Sequence, residues 1–188
     1  MTTKPPQKQT YKTPPPVAPY PEFLPLEDPN LPWDRFEAFC EEFIARLPGV
    51  KKAHRYGRRG SRQRGIDIFA DLKTGERWAF QCRQWKKFTK TDARNAIRGT
   101  TYKADRFILM LSRLATSGVR DVCDSHPNWD VWDVGDISRK VRELPMHSGA
   151  RLVETHFGAS WRRAFLGLQG LASFVTPQEF FRPFLNKS

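Results

Sequence analysis

The sequence predicts an α/β domain: a mixed β-sheet covered by helices on both sides. Three observations carry this. Between residues 33 and 144, segments of helix and strand periodicity follow in the order helix, three strands, helix, strand, helix, strand, helix. "RFILMLS" at 106–112 is a continuous apolar run, as expected of a strand buried on both faces. Two short runs, 66–72 and 77–83, flank "KTGE", where Gly75 supplies the chemistry of a hairpin turn.

The elements follow in chain order. Residues 1–30 hold nine of the fifteen prolines. These remove backbone donors and forbid a regular helix or central strand, so a Pro-rich flexible or surface arm is expected, with a Pro-rich docking motif as the alternative. From Trp33 to Leu47 the apolar positions Trp33, Phe36, Phe39, Cys40, Phe43, Ile44 and Leu47 recur at helical spacing; Asn30 or Asp34 is placed to cap this helix, and Pro48-Gly49 stops it. "VKKAHRY" at 50–56 reads as a first strand with a basic outer face, followed by the Gly- and Arg-rich loop "GRRGSRQRG" and the hairpin. A helix opened by Thr89 or Thr91 runs to about Lys103, ahead of the buried strand. Ser117–Cys123 is then a short helix, "NWDVWDV" a strand and Ile137–Leu144 a helix. Beyond Pro145 the chain is rich in aromatics and leucine, and it either packs back on the core or leads to a further domain.

Lys and Arg total 32 against 20 Asp and Glu, a formal charge of +12. Such a surplus favours a polyanionic partner, because phosphate neutralisation supplies most non-specific affinity for nucleic acid. Residues 1–30 are neutral apart from the terminus, so the excess lies on the folded part. Cys40, Cys82 and Cys123 show no CxxC spacing and read as reduced thiols. No stretch approaches the roughly 18 apolar residues of a membrane span, and no signal peptide is recognisable. A cytoplasmic protein without membrane association is expected.

Candidate chemistry sits on the hairpin. A three-residue loop about Thr74 pairs Leu72 with Glu76, Ala70 with Trp78 and Ile68 with Phe80, so that Asp67 lies opposite Gln81. With side chains alternating, Asp67, Gln81 and Arg83 share one face, while Ile66, Ile68, Ala70, Trp78, Phe80 and Cys82 fill the other. On the first helix, at about 100° per residue, Glu37 falls beside the apolar stripe, whereas Glu41 and Glu42 turn towards water. Asp67, Glu37, the Gln81 side-chain carbonyl and a backbone carbonyl near Cys82 form an all-oxygen shell, which suits Mg²⁺, with Mn²⁺ as a substitute. The four histidines, at 54, 126, 147 and 156, are scattered, which argues against zinc.

These residues resemble the PD-(D/E)xK nuclease superfamily, and within it the Mrr-like restriction endonucleases, whose site often reads Q-x-K. The matching segments are "FE" at 36–37, "GIDI" at 65–68 and "QCR" at 81–83, within residues 33–144. The resemblance implies a three-layer restriction-endonuclease-like domain over 31–145, with 146–188 a C-terminal extension and possible junction to another module. It implies a DNA endonuclease in which Asp67 and Gln81 hold Mg²⁺, Glu37 supports metal or water, and residue 83 stabilises the nucleophile or transition state while metal-activated water cleaves the phosphodiester. Arg83 departs from the family's lysine. It keeps the charge and can grip phosphate, but it is never deprotonated; Lys86 and Lys87 stand nearby. The resemblance further implies an antiviral defence effector with little sequence preference of its own, joined to or associated with a sensor or STAND-type NTPase, and acting as a homo-oligomer, since one centre cuts one strand. The alternatives are a degenerate nuclease fold that binds nucleic acid without cutting it, and an RNA nuclease or resolvase.

Two basic clusters are the expected DNA-binding surface. Lys51, Lys52, Arg55, Arg58, Arg59, Arg62 and Arg64 occur without an intervening acid, among glycines 57, 60 and 65 that let the backbone approach phosphates. Lys86, Lys87, Lys90, Arg94 and Arg98 lead into the helix after the hairpin. Trp132 is expected in the core.

Overall fold

The computed structural model describes residues 23–57, 64–84 and 87–167. Among these the order is α1 (Trp33–Ile44), β1 (Val50–Arg55), β2 (Ile68–Leu72), β3 (Arg77–Arg83), α2 (Lys90–Gly99), β4 (Arg106–Leu111), α3 (Ser117–Asp124), β5 (Trp129–Trp132), α4 (Val134–Arg142), α5 (Met146–Phe157) and α6 (Ala159–Leu166). The strands form one sheet in the order β1-β2-β3-β4-β5. The β1/β2 and β2/β3 pairs are antiparallel, and β3/β4 and β4/β5 are parallel. This is the expected mixed sheet.

The expected hairpin register is the observed one. Ile68 pairs with Phe80, Ala70 with Trp78, and the Leu72 amide donates to Glu76 O at 2.8 Å. Gly75 turns the chain at φ +94°, which residues with a Cβ rarely adopt.

Alternation on the central strands sorts side chains into two cores. Ile68, Ala70, Phe80, Ile108, Met110 and Trp132 meet Phe36, Phe39, Cys40, Phe43 and Ile44 of α1, together with residues of α4, α5 and α6. Leu109, Leu111 and Val131 face the other way, against Ala93 of α2 and Val119, Val122 and Cys123 of α3. Helices therefore cover both sides, and β4 is buried on both faces because neither reaches water. Each fully buried Phe or Ile contributes roughly 1.5–3 kcal/mol relative to exposure.

Several local expectations are corrected. Neither Asn30 nor Asp34 caps α1: Pro32 is the N-cap, where its missing N–H costs nothing, and Asn30 donates its amide to Asp28 Oδ1. The helix ends at Ile44, ahead of the Pro48-Gly49 stop. Thr89 caps α2 through a reciprocal capping box with Asp92, and the helix ends at Gly99 rather than near Lys103. α4 begins at Val134, not Ile137, because Asp133 accepts from the Gly135 and Asp136 amides. Leu24 and Leu26 of the proline-rich segment lie in the α1-side core, with the Leu26 amide donating to Ser138 Oγ at 2.9 Å. Residues 1–22 lie outside the described part. Leu152, Val153, Trp161, Ala164 and Phe165 of α5 and α6 belong to the same core.

Candidate active site

The antiparallel β2/β3 pair and the parallel β3/β4 pair bring three chain features to one end of the sheet: the start of β2, the end of β3 and the entry to α2. Carboxyl ends of parallel strands are where α/β folds place ligands. Here a cleft of about 720 Å³ is lined by Glu37 of α1, Asp67 just before β2, Cys82 and Arg83 of β3, and Asp92 and Asn95 of α2.

Asp67 is 9% exposed and anchored by its backbone, its amide donating to Phe80 O at 2.8 Å and its carbonyl accepting from the Tyr56 amide at 2.7 Å. Its Oδ2 accepts from the Cys82 amide at 2.7 Å and from Arg83 Nη1 at 3.0 Å. The carboxylate is therefore turned across the hairpin towards residues 82 and 83. The same Nη1 donates to Cys82 O at 2.8 Å, so the backbone carbonyl expected near the metal already serves the guanidinium.

Gln81 is 2% exposed. Its Nε2 donates to Gly65 O and, at 2.9 Å, to Thr100 Oγ1. A carbonyl can only accept, which fixes the amide orientation and leaves Oε1 buried with no hydrogen-bond partner among the described residues. An unsatisfied buried acceptor is uncommon and costs free energy. Gly65 makes this arrangement possible. It sits at φ +79°, and a Cβ there would lie 2.6 Å from Thr100 Cα. The glycine thus serves packing against the end of α2.

Glu37, 7% exposed, lies within 3.6 Å of Arg55 Nε, which also pairs with Glu41 at 2.9 Å. Cys82 sits between the two acids. The hydrogen bond it shares with Cys40, then burial, then the charges of Cys40, Asp67 and Glu37 hold its thiol well above the ordinary range. It is therefore a neutral thiol rather than a nucleophile.

The expected DNA-binding residues separate. Lys51 and Lys52 are exposed on β1 but near the β2–β3 turn, at the far end of the sheet from Asp67, as the pairing of Lys52 with Asp71 and Arg55 with Ile68 requires. Arg55 lies at the cleft end, yet α1 supplies in space the acids that the local sequence lacks. Arg64, Lys87, Lys90 and Arg94 are exposed on the segments entering β2 and α2. Arg58, Arg59, Arg62 and Lys86 lie outside the described residues. Sequence reasoning missed Asp92 and Asn95, although the capping signal Thr-x-x-Asp fixes the start of α2, and residues three apart share a helix face.

The donor set matches a hard divalent ion: two buried carboxylates, a buried amide oxygen without a partner, and no soft ligand ionised. Among the described residues no three His, Cys, Asp or Glu side chains cluster as a metal site, and Gln81 does not line the cleft; its buried Oε1, without a partner among those residues, would be the third side-chain donor. Asp67 Oδ1 and the Glu37 carboxylate would hold such an ion with it.

Sheet order, layering and the position of this cleft define a restriction-endonuclease-like α/β domain. The chain matches the Mrr_cat family model, described as restriction endonuclease, over residues 29–140, more than half its length, and it belongs to that family. It is thus a restriction-type nuclease of the PD-(D/E)xK, Mrr-like group, a class whose substrate is DNA. No curated protein and no solved structure matches the chain. Among the described residues no helix is long and apolar enough to cross a membrane.

Proposed function

We propose that the domain is a Mg²⁺-dependent DNA endonuclease whose site comprises Glu37, Asp67, Gln81 and Arg83. The observation that carries this reading is the lining of one cleft by two buried carboxylates, from α1 and from the hairpin, beside the cation of Arg83. A divalent ion, when bound, supplies Lewis-acid polarisation of a phosphoryl oxygen and lowers the pKa of water.

The chain's own residues do the positioning. The Cys82 amide holds Asp67 Oδ2, so that Oδ1 would be the oxygen offered to an ion, while Gly65 and Thr100 hold the Gln81 amide by its N–H groups, so that Oε1 would be its donor. Among the described residues Arg83 uses only Nη1, on Asp67 and Cys82. Its remaining donors are available to a phosphate on which negative charge develops, where a preorganised donor is worth roughly 10²–10³ in rate. Lys87, Lys90 and Arg94, exposed on the segment entering α2 and on α2 itself, would contact backbone phosphates without reading bases.

The test is relaxation of supercoiled plasmid DNA. Nicking is expected with Mg²⁺ and not with EDTA, and it is expected to vanish in Asp67→Ala. Nicking that persists in Asp67→Ala, or resists EDTA, overturns the assignment.

A second reading, a nuclease fold that binds DNA without cutting it, is favoured by one observation: Arg83 replaces the usual lysine and is tied to Asp67. An inactive wild type that retains DNA binding would select it. By the family resemblance we also propose a role as an antiviral defence effector, joined to or associated with a sensor or NTPase module, and with double-strand cuts made by paired subunits. Single-strand nicks alone at every protein concentration would contradict the pairing.

A further inference from the structure

Arg83 and Phe88, which line the cleft, also line a second, smaller pocket of about 140 Å³. Three cations from three segments wall it: Arg83 at the end of β3, Lys87 in the loop to α2, and Arg113 in the loop after β4. No acid lines it. Leu111, Leu114 and Thr116, the residue preceding α3, complete the wall. We infer that this pocket is a phosphate subsite, which takes a phosphate group of the nucleic-acid strand next to the one cleaved.

Size sets the ligand class. The volume is well under the roughly 300–1,000 Å³ of pockets that enclose drug-sized ligands, so it suits one compact group. Charge sets the sign. Lys87 is exposed and has no ion-pair partner among the described residues. Arg83 and Arg113 each engage acids outside the pocket, Asp67 and Glu27, through Nη1. A guanidinium carries five N–H donors in a planar fork suited to phosphate, and for these two only Nη1 makes a hydrogen bond or ion pair among the described residues. The acids therefore orient the guanidinium groups without exhausting them. Thr116 makes no side-chain capping bond to α3, so its hydroxyl is a further donor. Because Arg83 is common to both cavities, a phosphate bound here would sit one side chain away from the proposed reaction centre.

The identity of the ligand as part of a DNA strand rests on the nuclease reading; affinity for phosphate does not. The experiment is therefore a binding titration of the metal-free protein in EDTA, followed by the methyl resonances of Leu111 and Leu114 at constant ionic strength. Inorganic phosphate, a 5′-phosphorylated trinucleotide and its 5′-hydroxyl counterpart are titrated in turn. Saturable shifts with inorganic phosphate are expected, weakened at least fivefold by Lys87→Glu and unchanged by Lys73→Glu in the distant hairpin turn. A response to the 5′-phosphorylated trinucleotide alone would make the ligand a strand end, and a response to both an internal phosphodiester; either supports the subsite. No saturable shift, or equal affinity in Lys87→Glu, overturns it, and does so even if Asp67→Ala abolishes plasmid nicking and the nuclease reading stands.

Discussion

At the scale of single residues, the site depends on groups whose roles are set by a neighbour's geometry. Gln81 keeps Oε1 without a partner among the described residues because Gly65 and Thr100 take its amide N–H groups, and in the proposed site that oxygen would accept towards the ion. Gly65→Ala forces a Cβ into positive φ and against Thr100 Cα at 2.6 Å. It is expected to destabilise by about 1–3 kcal/mol, read as a lower urea midpoint; an unchanged midpoint would show that the contact relaxes freely. Arg83 acts through a permanent charge, never as a neutral amine. Arg83→Ala is therefore expected to slow nicking by roughly 10²–10³, while Arg83→Lys stays within about tenfold of wild type. A gain of several orders in Arg83→Lys would mean that the reaction needs a deprotonated amine, and that arginine suppresses it.

Secondary-structure elements bring these residues together, and here sequence and structure agree where the physics is local. Register in the β2–β3 hairpin was legible because alternation and the Gly75 turn together leave little freedom to slip. The start of α4 was not, because "WDVWDV" continues a strand pattern through Asp133, whose carboxylate makes it a cap instead. Nor was the choice between Thr89 and Thr91, which depends on Asp92 reaching back to the Thr89 amide at 2.8 Å. Thr89→Ala is expected to lower stability by about 1 kcal/mol and to weaken DNA binding, since the first turn of α2 carries Lys90. Between α1 and α5, Glu42 Oε2 lies 2.5 Å from His156 Nε2. Burial raises its pKa, but the hydrogen bonds with His156 and Arg46 outweigh this and hold the carboxyl below its ordinary value. A depressed folded-state pKa gives stability that is present above the unfolded-state value and lost as pH falls through the folded one. Urea unfolding below about pH 5 should therefore show a shallower acid loss in Glu42→Gln than in wild type; parallel curves would remove the pair from the acid response.

At the scale of the fold, two cores on opposite faces of one sheet support the strands that carry the cleft. α5 and α6 contribute Leu152, Val153, Trp161 and Phe165 to the larger core. Sequence periodicity gave no helix boundaries there, since these segments are placed by packing on α1 and by Gly158 at φ +92°. Leu152→Ala is expected to cost roughly 2–5 kcal/mol, as for any central core leucine, whereas a freestanding extension would leave the unfolding midpoint in place. Glu37 was legible from its angle on α1, and Asp67 from hairpin register. The contact of Gln81 with Thr100, and the pairing of Arg55 with acids of α1, join residues distant in sequence and carry no local signature.

The central claim is that Glu37, Asp67 and Gln81 form one cation site. Its most direct test is titration of Mn²⁺ into the protein bound to a non-hydrolysable DNA analogue, followed by loss of the free-ion EPR signal. The account predicts saturable binding that weakens at least tenfold in Asp67→Asn and in Gln81→Leu, with both proteins folded. Equal Mn²⁺ affinity in wild type and both variants would contradict it.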